Sequence, residues 1–134
     1  MDEGKIISIR GVIVDVLFDE DKTPQIYDAL VIEDKVLGKI TLEVEAIIRP
    51  GVVRALVMGN VFGLKRGTKT LNTGKTIQVP VGTQTLGRIF NVLGEPIDEK
   101  GPVGTSKKKG IHQAAPLLTE QVVEQKIFET GIKV

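Results

Sequence analysis

The sequence contains no cysteine, so it offers neither disulfides nor a thiolate metal site. Its one histidine, His112, cannot by itself build a multi-histidine metal centre or a histidine pair. Aromatic residues are few: Phe18, Tyr27, Phe62, Phe90 and Phe128. None lies in a basic run, whereas a barrel that binds single-stranded nucleic acid wants stacking rings beside basic side chains. An excess of one charge is also missing, because 18 basic and 17 acidic residues leave a net charge of +1. That balance gives no support to nucleic acid as the main partner. Apolar runs stay far below membrane-spanning length, and the start Met1-Asp2-Glu3-Gly4-Lys5 shows no targeting peptide. These absences lead to the expectation of a soluble chain.

What is present fits one domain, or one small domain plus a piece of another, in 134 residues with 41% hydrophobic content. From Ile6 to Phe18 the chain reads as strand, with Gly11 marking a sharp bend. Val12, Val14, Val16 and Phe18 alternate onto one face, opposite Asp15. Asp19 to Pro24 is a polar loop, Ile26 to Ile32 a further strand, and Glu33-Asp34-Lys35 a turn. Ile40 to Ala46 alternates again, which places Glu43 and Glu45 on a wet face. Pro50-Gly51 signals a turn, and Val52 to Met58 returns as a strand. Short strands at close spacing, with no helical stretch between them, predict a small closed barrel or sandwich.

Two stretches imitate a phosphate-binding loop. Gly74-Lys75-Thr76 matches the end of that motif, but Lys69 stands where its first glycine belongs and a strand, not a helix, follows. A hairpin turn is the better reading. Gly82 and Gly87 have the motif's glycine spacing, yet Arg88 replaces its lysine and Ile89 its magnesium-binding hydroxyl. No catalytic, cofactor-binding or metal-binding residue is assigned. Leu86, Ile89, Phe90 and Leu93 recur at helical spacing, closed by Gly94 and Pro96, which predicts a helix there. Glu99 to Pro102 reads as a turn, and Thr105 to Gly110, with Lys107-Lys108-Lys109, as an exposed loop. Glu120 to Lys126 is expected to be helical. The chain then stops in an apolar run at Ile127–Val134, as if it belonged to something longer.

Val79-Pro80-Val81-Gly82, Thr85 to Asp98 and Gly101-Pro102 closely resemble the β subunit of the F-type ATP synthase. Ile111-His112, Ala115-Pro116 and Glu129 to Val134 fit the same family in the same order. Gly11, Val14-Asp15-Val16 with Phe18, Ile26-Tyr27, Ala29-Leu30, Gly63-Leu64 and Arg66-Gly67 fit its amino-terminal barrel. Ile89 to Glu95 and Ile111-His112 favour the β over the α subunit. Departures occur at Val12, where the family usually has proline, and at Gln113-Ala114, where Arg-Pro is usual. Ile40 to Asn60 matches in pattern more than in residues.

The resemblance implies a mainly β fold: a six-stranded barrel over residues 1–81. Residues 82–134 would then begin an α/β nucleotide-binding domain, truncated before its phosphate loop. It implies no cofactor in this segment, with MgATP or MgADP bound by the full-length subunit. The implied partners are α subunits of an alternating ring and, through the missing part, the central stalk. The complex would lie on the cytoplasmic side of a bacterial membrane as a peripheral assembly, coupling ATP synthesis or hydrolysis to proton transport. The alternatives are a small oligonucleotide-binding barrel and a non-catalytic paralogue or assembly module.

Overall fold

The computed structural model describes residues 2–34, 36–104, 107–121 and 127. Six antiparallel strands close into a barrel in the order β1-β2-β5-β4-β3-β6. They are β1 (Glu3–Arg10), β2 (Ile13–Leu17), β3 (Asp28–Asp34), β4 (Gly38–Arg49), β5 (Val52–Val57) and β6 (Lys69–Thr76). Closure is made where Glu3, Gly4 and Lys5 pair with Leu71, Thr70 and Lys69. The mainly β expectation and the six-stranded barrel are both present. Among the described residues of 82–134 there is no α-helix.

Alternation explains the core. Val14 and Val16 point inward from β2, and Leu30 and Ile32 from β3. Leu42 and Val44 come from β4, and Val53 and Ala55 from β5, all fully buried. Phe18 closes one end, and its ring lies where a side chain on Gly4 would project, within 2.7 Å of that Cβ position. Any larger residue at position 4 would have to displace that ring. Val12 departs from the expected inward face, because Gly11 and Val12 form the turn between β1 and β2 and leave Val12 half exposed. The third strand begins at Asp28 rather than Ile26, since Tyr27 takes a left-handed backbone with φ of 72°. Asp34 belongs to β3 rather than to the turn. Its Oδ1 accepts from the Leu37 and Val36 amides, which holds its carboxyl below the usual carboxylate range.

The second region wraps one side of the barrel. A two-stranded sheet joins β7 (Gln78–Pro80) to β8 (Lys108–Gly110). The Lys107–Lys109 stretch is therefore not an open loop, since Lys108 and Lys109 pair with Pro80 and Val79.

The helix predicted over Leu86–Leu93 does not form either. A 3-10 turn covers Thr83–Thr85, and Gly87 then takes a φ of 68° that no helix accommodates. Next the chain folds back on itself. Asn91 Oδ1 accepts from the Leu93 and Glu95 amides, and Phe90 bridges to Pro96. The helical spacing of Leu86 and Ile89 thus belongs to two exposed apolar side chains on an irregular loop. Downstream, Leu118–Glu120 is a single 3-10 turn. The rest of the expected Glu120–Lys126 helix, and the Ile127–Val134 run apart from Ile127, fall outside the described residues.

Candidate functional site

Neither of the two stretches that imitate a phosphate loop has the backbone of one. Gly74-Lys75-Thr76 lies within β6, not at a turn between strands and not at the start of a helix. Leu30 pairs with Asn72 while Asp28 pairs with Thr76, so β6 carries extra residues opposite β3 and bulges at this point. The hairpin expected here is therefore a bulge. Backbone amides that would cradle phosphate are already engaged: Gly74 donates to Asn72 Oδ1, and Lys75 to Thr73 Oγ1. In the Gly82–Ile89 stretch, the Arg88 guanidinium is engaged within the chain. It donates through Nε and Nη2 to the two carboxylate oxygens of Asp98, at 2.6 and 2.9 Å, and also to the Gly101 carbonyl.

That Arg88–Asp98 pair closes the loop from residue 88 to residue 101. The Asp98 side chain is only 4% exposed. Bidentate donation from Arg88 is the main cause that holds its carboxyl well below the usual carboxylate range, aided by the Lys100 and Ile89 amides. The sequence carried a signal here in an arginine and an aspartate bracketing a turn-rich segment, but nothing local pairs them.

A further cluster fastens the β7–β8 region to the barrel. Glu43, expected on a wet face, is only 4% exposed. It does point outward from the barrel, but the chain after β8 covers it. His112 Nε2 lies 3.0 Å from Glu43 Oε2, and the imidazole stacks on Tyr27 at 3.9 Å between centroids and 17° between planes. A buried carboxylate needs such a partner, because its desolvation is otherwise uncompensated. The left-handed backbone of Tyr27, costly for a bulky residue, is held by the hydrogen bond its backbone N–H donates to the Val44 carbonyl at 2.7 Å. Two of the aromatic rings are thus committed, Phe18 to the core and Tyr27 to His112.

Further round the barrel, on β2 and β5, Asp15 accepts from both Arg10 and Arg54 at 2.9 and 2.8 Å. The hydrogen bond from Arg54 is the main reason its carboxyl sits below the usual range. Around this network the surface turns apolar. Ile13 and Leu17 on β2, and Ile47 and Ile48 at the end of β4, are exposed on the two strands flanking β5. Ile13 also lines a shallow cavity of about 120 Å³ together with Glu45, Arg54, Ala55 and Leu56. Among the described residues, no group of three or more His, Asp or Glu side chains is placed to hold a metal ion. No helix among them is long and apolar enough to cross a membrane.

A closed antiparallel six-stranded barrel followed by a turn-rich segment defines the class. Residues 6–74, just over half of the chain, match the ATP synthase alpha/beta family, beta-barrel domain. The chain belongs to that family, whose members are subunits of ATP synthases working in an oligomeric assembly.

Proposed function

We propose that this chain is the amino-terminal part of a catalytic, β-type subunit of a rotary F-type ATP synthase. Its barrel holds an alternating α/β ring together while MgATP or MgADP chemistry proceeds further along the subunit. The ring couples ATP synthesis or hydrolysis to proton transport, as a peripheral complex on the cytoplasmic side of a bacterial membrane. Residues 82–134 then open the nucleotide-binding domain. The β-type assignment rests on the resemblance of Ile89 to Glu95 and of Ile111-His112.

One observation carries the assembly reading. A closed barrel has no free strand edge, so it can join neighbours only through its side walls. The wall around β5 exposes Ile13, Leu17, Ile47 and Ile48 beside the Asp15–Arg54 pair. Apolar side chains ringing a fixed charge pair suit a protein interface. Mixing the chain with α-type and with β-type F1 subunits tests this, read by sedimentation. Association with the α-type subunit, lost in Ile13→Asp and Ile47→Asp variants that melt like the parent, is expected. Equal association with both subunit types, or with neither, rejects the reading.

A further inference from the structure

The Gly74 bulge, which is no phosphate loop, still presents Lys75 to a cavity of about 300 Å³ between the barrel wall and the β7–β8 sheet. Lys39 from β4 and Lys108 from β8 line the same cavity, together with Thr76. Three lysines from sequence positions far apart thus line one cleft. Each is exposed, and none of the three has a carboxylate within ion-pair distance among the described residues. Glu33 pairs in register with Lys39 but does not line the cavity. The one carboxylate that does, Glu95, accepts from Asn91 Nδ2 at 2.9 Å. The lining therefore carries an excess of two positive charges, three lysines against one glutamate.

The walls are built rather than loosely apposed. A Cβ on Gly110 would stand 2.5 Å from Thr76 Oγ1, so β8 packs against the Thr76 side chain too closely for any other residue at position 110. The bulge supplies the aim, since extra residues in one strand redirect the side chain that follows. Like charges gathered in a concave site repel one another and raise the local concentration of counter-ions of opposite sign.

We propose that this cleft is a binding site for a small polyvalent oxyanion of the phosphate or pyrophosphate class. Lys39, Lys75 and Lys108 supply the charge and the Thr76 hydroxyl supplies a neutral hydrogen bond. The site goes beyond the subunit assignment and does not depend on it. Because the amides of Gly74 and Lys75 are already used, recognition runs through side chains. A cavity near the lower end of ligand-site volumes suits a bare oxyanion better than a whole nucleotide.

Calorimetric titration of the 134-residue chain with sodium pyrophosphate at fixed ionic strength tests the site, with phosphate and magnesium-free ATP as parallel arms. Saturable one-site binding of pyrophosphate is expected, with ATP no tighter, since an adenosine-bearing source finds no added contact. Lys75→Gln should weaken it about tenfold, the loss of one charge-assisted contact. Lys39→Gln and Lys108→Gln should act in the same direction. Lys109→Gln removes the same charge from the neighbouring β8 position, which does not line the cleft, and should leave affinity unchanged. Unchanged far-ultraviolet circular dichroism checks that each variant is folded. Absence of saturable binding overturns the proposal, as does a Lys109→Gln loss equal to that of Lys75→Gln. ATP binding tighter than pyrophosphate reassigns the site to nucleotide and overturns it too.

Discussion

The barrel and the region that follows are held together by different physics. In the barrel, the strands turn an apolar face inward, and the core consists of aliphatic side chains and Phe18 with almost no exposure. From Ile77 onward the described chain buries little beyond Ile77 itself. Its order comes from a few specific polar contacts: Arg88 with Asp98, Asn91 with the Leu93 and Glu95 amides, and His112 with Glu43. Burial is non-directional and tolerates conservative change, whereas a polar clasp depends on individual atoms. The two regions should therefore respond to opposite kinds of mutation.

The largest expected effect sharpens this contrast with one residue type at two positions. Leu42→Ala in the barrel should cost about 2–5 kcal/mol, because Leu42 is fully buried. Leu86→Ala, at a side chain 78% exposed, should stay within about 0.5 kcal/mol. Thermal or urea unfolding of the two variants checks the pair, and similar losses would erase the distinction.

Next comes the clasp. His112→Ala strands the Glu43 carboxylate beneath the chain after β8 and should cost about 1–3 kcal/mol, the range for a buried group left without its partner. Adding Glu43→Gln to that variant should recover part of the loss, since the uncompensated charge goes. Hydrogen exchange should show the β8 amides opening in His112→Ala while β1–β6 stay protected. A uniform loss of protection would show that the regions are one cooperative unit.

Acid supplies a milder, local test. The folded Asp98 carboxyl is held below its unfolded value of about 3.9, so its contribution is complete above that pH. It declines as pH falls from there toward the folded value. The Ile89 and Lys100 amides, which donate to Asp98, should gain exchange only in that acid range. Asp98→Asn should show the same opening at neutral pH, with barrel unfolding unchanged. Smallest of all should be Asp15→Asn on the barrel wall. Both arginine partners keep contact with solvent, and ion pairs with solvated partners contribute little. A drop in melting temperature larger than that of His112→Ala would contradict this ranking.

The same contrast decides what could be read from the sequence. Val14, Val16, Leu42 and Val44 announced their strands because burial on one face writes a period of two directly into the chain. Pro50-Gly51 announced its turn for an equally local reason. The region after the barrel writes no such period. Leu86, Ile89 and Leu93 imitated a helix because spacing alone cannot register that Gly87 adopts a left-handed backbone or that Asn91 folds the loop. Glu43 looked wet because its strand faces outward there, and only a segment some seventy positions later covers it. Lys108 and Lys109 looked like loop for the same reason, since their partners Pro80 and Val79 lie far back in sequence. Legibility failed where a polar contact decided the fold, whether local, as at Asn91, or distant, as at Glu43.

The seam between β1 and β6 also sets the order of events during synthesis. Lys5 pairs across from Lys69, so the first strand made waits for the last before the barrel can close. The β1–β2, β3–β4 and β4–β5 hairpins are available early, but β2–β5 and β3–β6 join distant parts of the chain. A topology this rich in non-local pairing folds on the millisecond-to-second scale rather than in microseconds. During that interval β1 has one unpaired edge, and the emerging chain is at its most vulnerable to joining a neighbour instead of itself.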